Sequence, residues 1–430
     1  MSNNLTKIAV IGAGISGLTV AQLLKDKADV VVFEKENRPG GLIKCDRVEG
    51  ALYHRTGGHV FNSKNEKVLD WFWRFFDKDK DFTKALRNAV ISMPDGKTVG
   101  YPIENHVYQL SDDVIKNFIA DIQNMIQSTG PEPRNFEEFL KQRFGNTLYG
   151  LYFQPYNEKI WNKGLSGVPL SWLEGKLPMP TVAEMLYNNF VHAKEMQMVH
   201  SSFYYPKQGG SQFLADTLAK GLNIRYDAGV ERMRYVQDGW LIGEEQFDAV
   251  VFCGNIKQLP QSVEGVDLEP FRNGIDALQY HGTTSVLCEV GTNSYSWIYL
   301  PDHAYRAHRI ICTGNFSTSN NPSGKSTATV EFTDFIGKEE IEENLQLMPF
   351  SPKYIAHHFE PFTYPIQDRD TKELVAGVKK SLAPHRMYLC SRFADWEYYN
   401  MDAAMAAAMR LVLSDPIFPI SDKLNPTVLV

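Results

Sequence analysis

Cysteine is scarce in this chain. Five are spread over 430 residues, at Cys45, Cys253, Cys288, Cys312 and Cys390. The number is odd, the spacings are long and no Cys-x-x-Cys pair occurs. That pattern argues against a secreted disulfide framework and offers no thiolate zinc site, so each cysteine reads as a small buried hydrophobe. Long apolar runs are missing too. No stretch of about eighteen apolar residues is present to span a bilayer, and residues 1–7 lack the apolar core of a signal peptide. A cytoplasmic protein without a transmembrane segment is expected. Positive charge is in deficit: 44 Lys and Arg stand against 51 Asp and Glu, a formal net charge of −7. An acidic balance argues against a general nucleic-acid binder, yet leaves room for a local basic pocket that takes a small anion. The eleven histidines are scattered. The adjacent His357 and His358 would point to opposite faces of a strand, so no metal site is expected. Tandem repeats and low-complexity tracts are absent.

What is present is ordinary globular composition, 43% apolar and 22% charged, in a chain long enough for two or three folding units. The first fifty residues are the most legible. A short apolar run at 7–11 leads into a glycine turn at 12–17, then helical apolar spacing at 18–25, then a second buried run at 30–33 that ends at Glu34. This is a strand–turn–helix–strand unit. From 111 to 190 helical patterning dominates, with Val114, Phe118, Ile119 and Ile122 on one stripe, and prolines punctuate both ends. Short β-like runs at 223–226, 230–236, 239–243 and 247–253 are expected to return to the first sheet. Runs at 283–290, 296–300, 309–314 and 328–332 suggest a separate antiparallel sheet. A last strand at 387–390 precedes a terminal Ala- and Met-rich helix.

Gly12-Ala13-Gly14-Ile15-Ser16-Gly17 fits Gly-x-Gly-x-x-Gly. The first glycine makes the turn, the second lets a pyrophosphate approach the backbone, and the third lets helix pack on strand. Alone the pattern is weak. Here it follows a strand, opens a helix and is followed 17 residues after Gly17 by Glu34, close to where a carboxylate meets a ribose hydroxyl. Glycines and acid together form a dinucleotide-binding fingerprint that does not by itself choose between NAD and FAD.

Further segments carry a resemblance. Arg38-Pro39-Gly40-Gly41 is similar to the second phosphate-side loop of FAD enzymes of the glutathione-reductase type, in the amine oxidase and protoporphyrinogen oxidase branch. Three other segments resemble the same branch. They are Tyr205-Pro206-Lys207-Gln208-Gly209-Gly210, the adenine-side run with Val230, and Arg392 followed by Asn400-Met401-Asp402. Within that branch, Gly57-Gly58-His59-Val60-Phe61, Tyr101-Pro102-Ile103-Glu104-Asn105, Pro155-Tyr156-Asn157-Glu158-Lys159-Ile160-Trp161 and Trp172-Leu173-Glu174-Gly175-Lys176 resemble segments of the UDP-galactopyranose mutases. So do Ser296-Trp297-Ile298-Tyr299-Leu300-Pro301 with Tyr305-Arg306, and the C-terminal stretch holding Tyr364, Arg392 and Tyr398. The matches run in one order from residue 8 to about residue 405, and lie closer to the eukaryotic than to the usual bacterial type.

The resemblance implies an α/β fold. A Rossmann-like FAD-binding domain is made of 1–75, 202–265 and 385–430, with a helical insertion at 105–200 and an antiparallel substrate-binding sheet from 76–104 and 266–384. It implies FAD, active when reduced, held by Gly12, Gly14, Gly17, Glu34, Arg38, Gly41, Val230, Arg392, Met401 and Asp402. It implies a UDP-sugar substrate, with UDP-galactopyranose and UDP-galactofuranose interconverted by reduced flavin acting as nucleophile, and an electron donor to charge that flavin. Tyr101, Asn157, Trp161, Lys176, Tyr299, Tyr364 and Tyr398 would hold the nucleotide; Arg306, Arg392 and His59 would serve the chemistry. Arginine forks and tyrosine hydroxyls suit a diphosphate. Two positions depart from the family: Lys176 stands where it shows arginine and Glu104 where the eukaryotic type shows glutamine. Both departures fall on the nucleotide side, so FAD binding is expected intact and the sugar nucleotide bound more weakly, or a different one preferred. The FAD motifs taken alone also admit an oxidase of the amine oxidase type.

Overall fold

The computed structural model describes residues 5–127, 131–168, 170, 180–193, 202–414 and 417–418. Its first strand, Lys7–Ile11, is paired in parallel on both sides, Ile8 facing Val30 and Ala249. Five parallel strands result, in the order Met387–Leu389, Ala249–Phe252, Lys7–Ile11, Asp29–Phe33 and Asn223–Arg225. Both faces of this sheet are covered, which is why Val30, Val31 and Val32 can all be apolar. Alternate side chains divide between two cores. Ile8, Val10, Val30 and Val32 pack under the helices Ile15–Leu24, Gln212–Ala219 and Met401–Ser414. Ala9, Ile11, Val31 and Phe33 face the other way.

That second face corrects one expectation. The run from 230 to 243 does not return to the parallel sheet. Met233–Val236, Gly239–Ile242, Glu245–Phe247 and Val263–Glu264 form a sheet of their own. Gln237 and Asp238 both take positive φ (49° and 61°), the backbone of a tight two-residue hairpin. The hairpin turns Met233, Trp240 and Phe247 inward against the parallel sheet, where they are buried. Hydrophobic period alone cannot tell which sheet a strand joins.

The large sheet has seven strands, ordered Lys353–Pro365, Tyr280–Val290, Ser326–Thr333, Arg309–Ile311, Trp297–Tyr299, Ala89–Ser92 and Thr98–Gly100. All its pairs are antiparallel except Trp297–Tyr299 with Ala89–Ser92, which is parallel. The sequence marks the strand Lys353–Pro365 only at His357 and His358; its full length carries no alternation because nearly all of it is half-buried.

Helices Asp112–Gln127, Phe136–Leu148, Gln154–Trp161 and Val182–Phe190 make the helical layer. Phe118, Ile122, Phe136, Leu140 and Phe144 close its core, while Ile119 of the expected stripe stands 48% exposed. Thr181 and Glu184 cap the last of these helices reciprocally. A cleft of about 880 Å³ opens at the C-terminal ends of the parallel strands and runs along the large sheet.

Candidate active site

One end of the cleft is built by the glycine turns. Gly12 leaves the first strand at φ +105° and donates its N–H to Phe33 O at 2.7 Å. The helix Ile15–Leu24 starts at once, with Gly14 as N-cap, no side-chain cap and no acid in its first turn. Its first N–H groups therefore face the cleft ready for an anion. A Cβ on Gly17 would lie 1.9 Å from Gly12 O, so the helix can approach the strand only with glycine there. Gly40 N donates to Ala13 O at 2.9 Å, which sets the second glycine loop against the first; a Cβ on Gly41 would come within 3.3 Å of Gly14 Cα. Glu34 is 5% exposed and its carboxylate accepts from Ala13 N (2.7 Å) and Glu36 N (3.1 Å). Lys44, also buried, sits 2.8 Å from Glu36 and 3.9 Å from Glu34. A second helix N-terminus, Met401 with Asp402, borders the same space. This end fits a pyrophosphate between two glycine turns and a ribose on Glu34.

The other end is a row across the large sheet. Tyr299 is registered opposite Arg309, and Arg309 opposite Glu331, so the three side chains stand abreast on one face and all line the cleft. Arg309 and Glu331 form a close ion pair, with His308 Nε2 3.6 Å from the same carboxylate. Burial raises the Glu331 pKa, but the attraction of Arg309 and His308 outweighs it and holds the group at about 2. Arg87 donates to Tyr299 OH at 2.7 Å, and Arg309 to Tyr364 OH at 3.3 Å. Each hydroxyl, accepting from a guanidinium, keeps its own proton for a further acceptor. Tyr364 and Tyr398 stack at 5.4 Å with an interplanar angle of 7°.

His59 lies against this end. Its Nε2 is shut from solvent and has no hydrogen-bond partner among the described residues. Burial first, then the Arg392 charge, pushes the imidazole down to about 4, so it is neutral at neutral pH. Arg392 stacks over Tyr398 at 4.7 Å and spends its donors on Thr363 O (2.9 Å) and Tyr399 O (3.0 Å). Those bonds tie two backbone segments together beside the cleft.

The structure gathers many of the residues singled out from sequence. Gly12, Gly14, Gly17, Glu34, Gly41 and Val230 line the dinucleotide end. Met401 and Asp402 border that space, and His59, Tyr299, Tyr364, Arg392 and Tyr398 also line the cleft. Others stand elsewhere. Arg306 is a correction: its guanidinium is 48% exposed and paired with Glu340 at 2.5 Å, on the outer side of the loop between Trp297–Tyr299 and Arg309–Ile311. Arg309 holds the place in the cleft that was assigned to it. Arg38 is ion-paired with Asp46 and lies outside the lining. Tyr101 lies outside the lining and packs against Tyr299, the ring centroids 4.4 Å apart and the planes tilted by 32°. Asn157 is turned onto its own helix, donating to Phe153 O at 2.7 Å, and Trp161 is buried near His281. Glu104 is buried off the cleft lining, where burial pushes its carboxyl up to about 7; it is therefore partly protonated at neutral pH and not an obligate acceptor. Lys176 lies outside the described residues.

Sequence reasoning missed Arg87, Arg309, Glu331 and Lys44. A signal existed for two of them. Arg309 opens, and Glu331 interrupts, β-like runs that otherwise carry no charge, and a charge inside a buried strand needs a partner.

Two glycine turns facing one another, a helix N-terminus and a ribose-ready carboxylate make this a Rossmann-like dinucleotide-binding fold. The family model for the NAD(P)-binding Rossmann-like domain matches residues 10–78. Over nearly its whole length the chain is similar to UDP-galactopyranose mutases. It is 22% identical to UDP-galactopyranose mutase of Mycoplasma genitalium over 438 residues, 94% of this chain and 93% of that one. It is 27% identical to dTDP-fucopyranose mutase of Escherichia coli over 265 residues, 59% of this chain and 64% of that protein's length. The crystal structure of a reduced UDP-galactopyranose mutase superposes with a TM-score of 0.85 at 20% identity, over 99% of this chain and 98% of that one. The mutase-like resemblance and the Rossmann-like fold expected from the sequence agree with these comparisons, as does the expectation of an enzyme of the isomerase class.

Proposed function

We propose that the protein is an FAD-dependent sugar-nucleotide mutase that interconverts the pyranose and furanose forms of a sugar carried on UDP or dTDP. The observation that carries the reading is one continuous cleft joining the Gly12–Gly17 and Glu34 cradle to a wall of Arg87, Arg309 and three tyrosines. Arginine forks and tyrosine hydroxyls suit a diphosphate, and an apolar amine would leave them unpaired.

The geometry supports the following roles. Gly14 and Gly41 leave the pyrophosphate of FAD its path, and Glu34 takes the ribose. Reduced flavin, when bound, supplies the nucleophile for the anomeric carbon. Tyr299 and Tyr364 donate to diphosphate oxygens, each polarised by its arginine. Glu331 fixes the Arg309 fork, so that the positive charge facing the departing diphosphate is set before the bond breaks. Neutral His59 offers Nε2 to the cofactor side. Arg392 braces the Tyr398 ring and the Tyr399 turn. The E. coli relative is named for a dTDP sugar and the Mycoplasma relative for a UDP sugar, so both nucleotides belong in the test.

That test is direct. The purified holoprotein is reduced with dithionite and given UDP-galactopyranose or dTDP-fucopyranose. A furanose product by chromatography is the expected result. No product from either, with hydrogen peroxide released from an amine or porphyrinogen by the oxidised protein, would overturn the reading in favour of an oxidase.

A further inference from the structure

Nine residues, 300–308, connect two strands that face the cleft. The loop hangs from a single registered pair, Tyr299 opposite Arg309, and Leu300 N closes it by donating to His308 O at 2.9 Å. Leu300, Tyr305 and Ala307 are buried, so its carbonyls have little water to turn to. Buried carbonyls need donors. Here the donor comes from another layer. Lys159, on the helix Gln154–Trp161, reaches into the loop and gives its Nζ hydrogens to Leu300 O at 2.9 Å, Asp302 O, and Ala307 O at 3.0 Å. The ammonium also lies 4.6 Å from the centre of the Tyr305 ring. Among the described residues no carboxylate side chain bonds it; its partners are three peptide carbonyls from both limbs of one loop.

We infer that Lys159 is a positioning residue: its ammonium gathers three carbonyls of the 300–308 loop and so fixes the spacing of Tyr299 and Arg309, the two cleft side chains that the loop joins. The clamp rests on these contacts alone. Its consequence for nucleotide binding rests on the mutase reading above.

An ammonium has three N–H donors in tetrahedral array, one for each carbonyl. A neutral amine has two and turns a lone pair toward the third carbonyl. Burial pushes Lys159 down to about 7, opposed by the Asp302 carboxylate. The other titratable groups nearby are the Tyr305 phenol, raised by burial, and His308, which burial holds low and which shares Glu331 with Arg309. Neither supplies a donor to the loop carbonyls in place of Lys159. The clamp therefore loosens as pH rises through about 7.

The experiment uses the cofactor-loaded full chain, as wild type, Lys159→Met and Lys159→Arg. Amide hydrogen exchange of the peptide covering 300–308 reads the clamp, calorimetry with UDP reads its consequence, and flavin absorbance confirms loading. At pH 6 the Met variant should exchange this peptide about tenfold faster and bind UDP about tenfold more weakly, as loss of a buried donor implies. Wild type should move toward the Met variant between pH 6 and pH 8.5, while Lys159→Arg, which cannot lose its proton, should show no such change. Unchanged exchange in Lys159→Met overturns the clamp. Faster exchange with unchanged UDP affinity overturns the positioning role. If the Met variant does not fold, the wild-type pH series decides alone, and exchange that merely follows the intrinsic rate counts against the proposal. Wild type that binds neither UDP nor dTDP would refute the mutase reading while the exchange arm still tests the clamp.

Discussion

Glu331 is 1% exposed and divides its carboxylate between Arg309 and His308. Removing its charge leaves a guanidinium without compensation, which typically costs about 3–5 kcal/mol for a buried pair. Glu331→Gln should therefore melt lower than wild type at pH 7. Because the native group sits at about 2, below its unfolded value, the stabilisation is present above about pH 4.5 and disappears as pH falls toward 2. Melting curves of wild type and Glu331→Gln should thus converge over that window; a constant gap down to pH 2 would contradict the ion pair. Glu104 carries the opposite sign. Burial raises its carboxyl to about 7, so its stabilising contribution is full below the unfolded pKa and lost as pH rises through 7. Glu104→Gln should be the more stable protein at pH 8, by roughly 3 kcal/mol, with the advantage shrinking toward pH 4.5. Denaturant unfolding at pH 5 and pH 8 measures the difference.

At the scale of elements, the two glycines of the first turn do different work. Gly17 serves packing, since a Cβ there would meet Gly12 O at 1.9 Å between helix and strand. Gly14 has nothing nearer than Gly41 Cα at 3.9 Å, so a side chain there would fill cleft space that the proposed cofactor's pyrophosphate needs. Gly17→Ala should lower the melting temperature of the apoprotein by several degrees or prevent folding. Gly14→Ala should leave the apoprotein melting temperature near wild type and lose bound cofactor. Equal effects of the two on apoprotein melting would show that the turn is not divided in this way. The large sheet is organised by register in the same sense. Tyr299, Arg309 and Glu331 stand together because three strands present them abreast.

At the scale of the molecule, two layers meet at the cleft, the parallel sheet with its helices and the large sheet, while the described helical layer packs against strands of the large sheet without lining the cleft. No helix of the described residues is long and apolar enough to cross a membrane. A ligand lying between layers ties them together, and a ligand that binds only the folded state at about 100 times its Kd adds about 2.7 kcal/mol. Stripping the cofactor should therefore lower the melting temperature, and adding FAD should restore it in a concentration-dependent manner. Calorimetric scans of stripped and reloaded protein check this; a melting temperature indifferent to FAD would argue against the proposed cradle.

Local chemistry was readable from the residues because it needs only neighbours in sequence. The Gly12–Gly17 turn, the Glu34 that closes the next strand, the helical layer and the terminal helix all depend on spacings within a few tens of residues, and the structure places them as spacing implied. Long-range placement was not readable. Arg306 and Arg309 lie three residues apart and are chemically alike, yet one faces solvent beside Glu340 and the other faces the cleft beside Glu331. Nothing in the composition of the loop separates them. What separates them is strand pairing: Arg309 is the first residue in register with Tyr299, and Arg306 hangs in the loop beyond it. In the same way the alternation at 230–247 announced strands without saying which sheet they would join. Local conformation follows from dihedral preference and periodicity, but which side chains share a cleft is decided only when strands find their register and layers close over them.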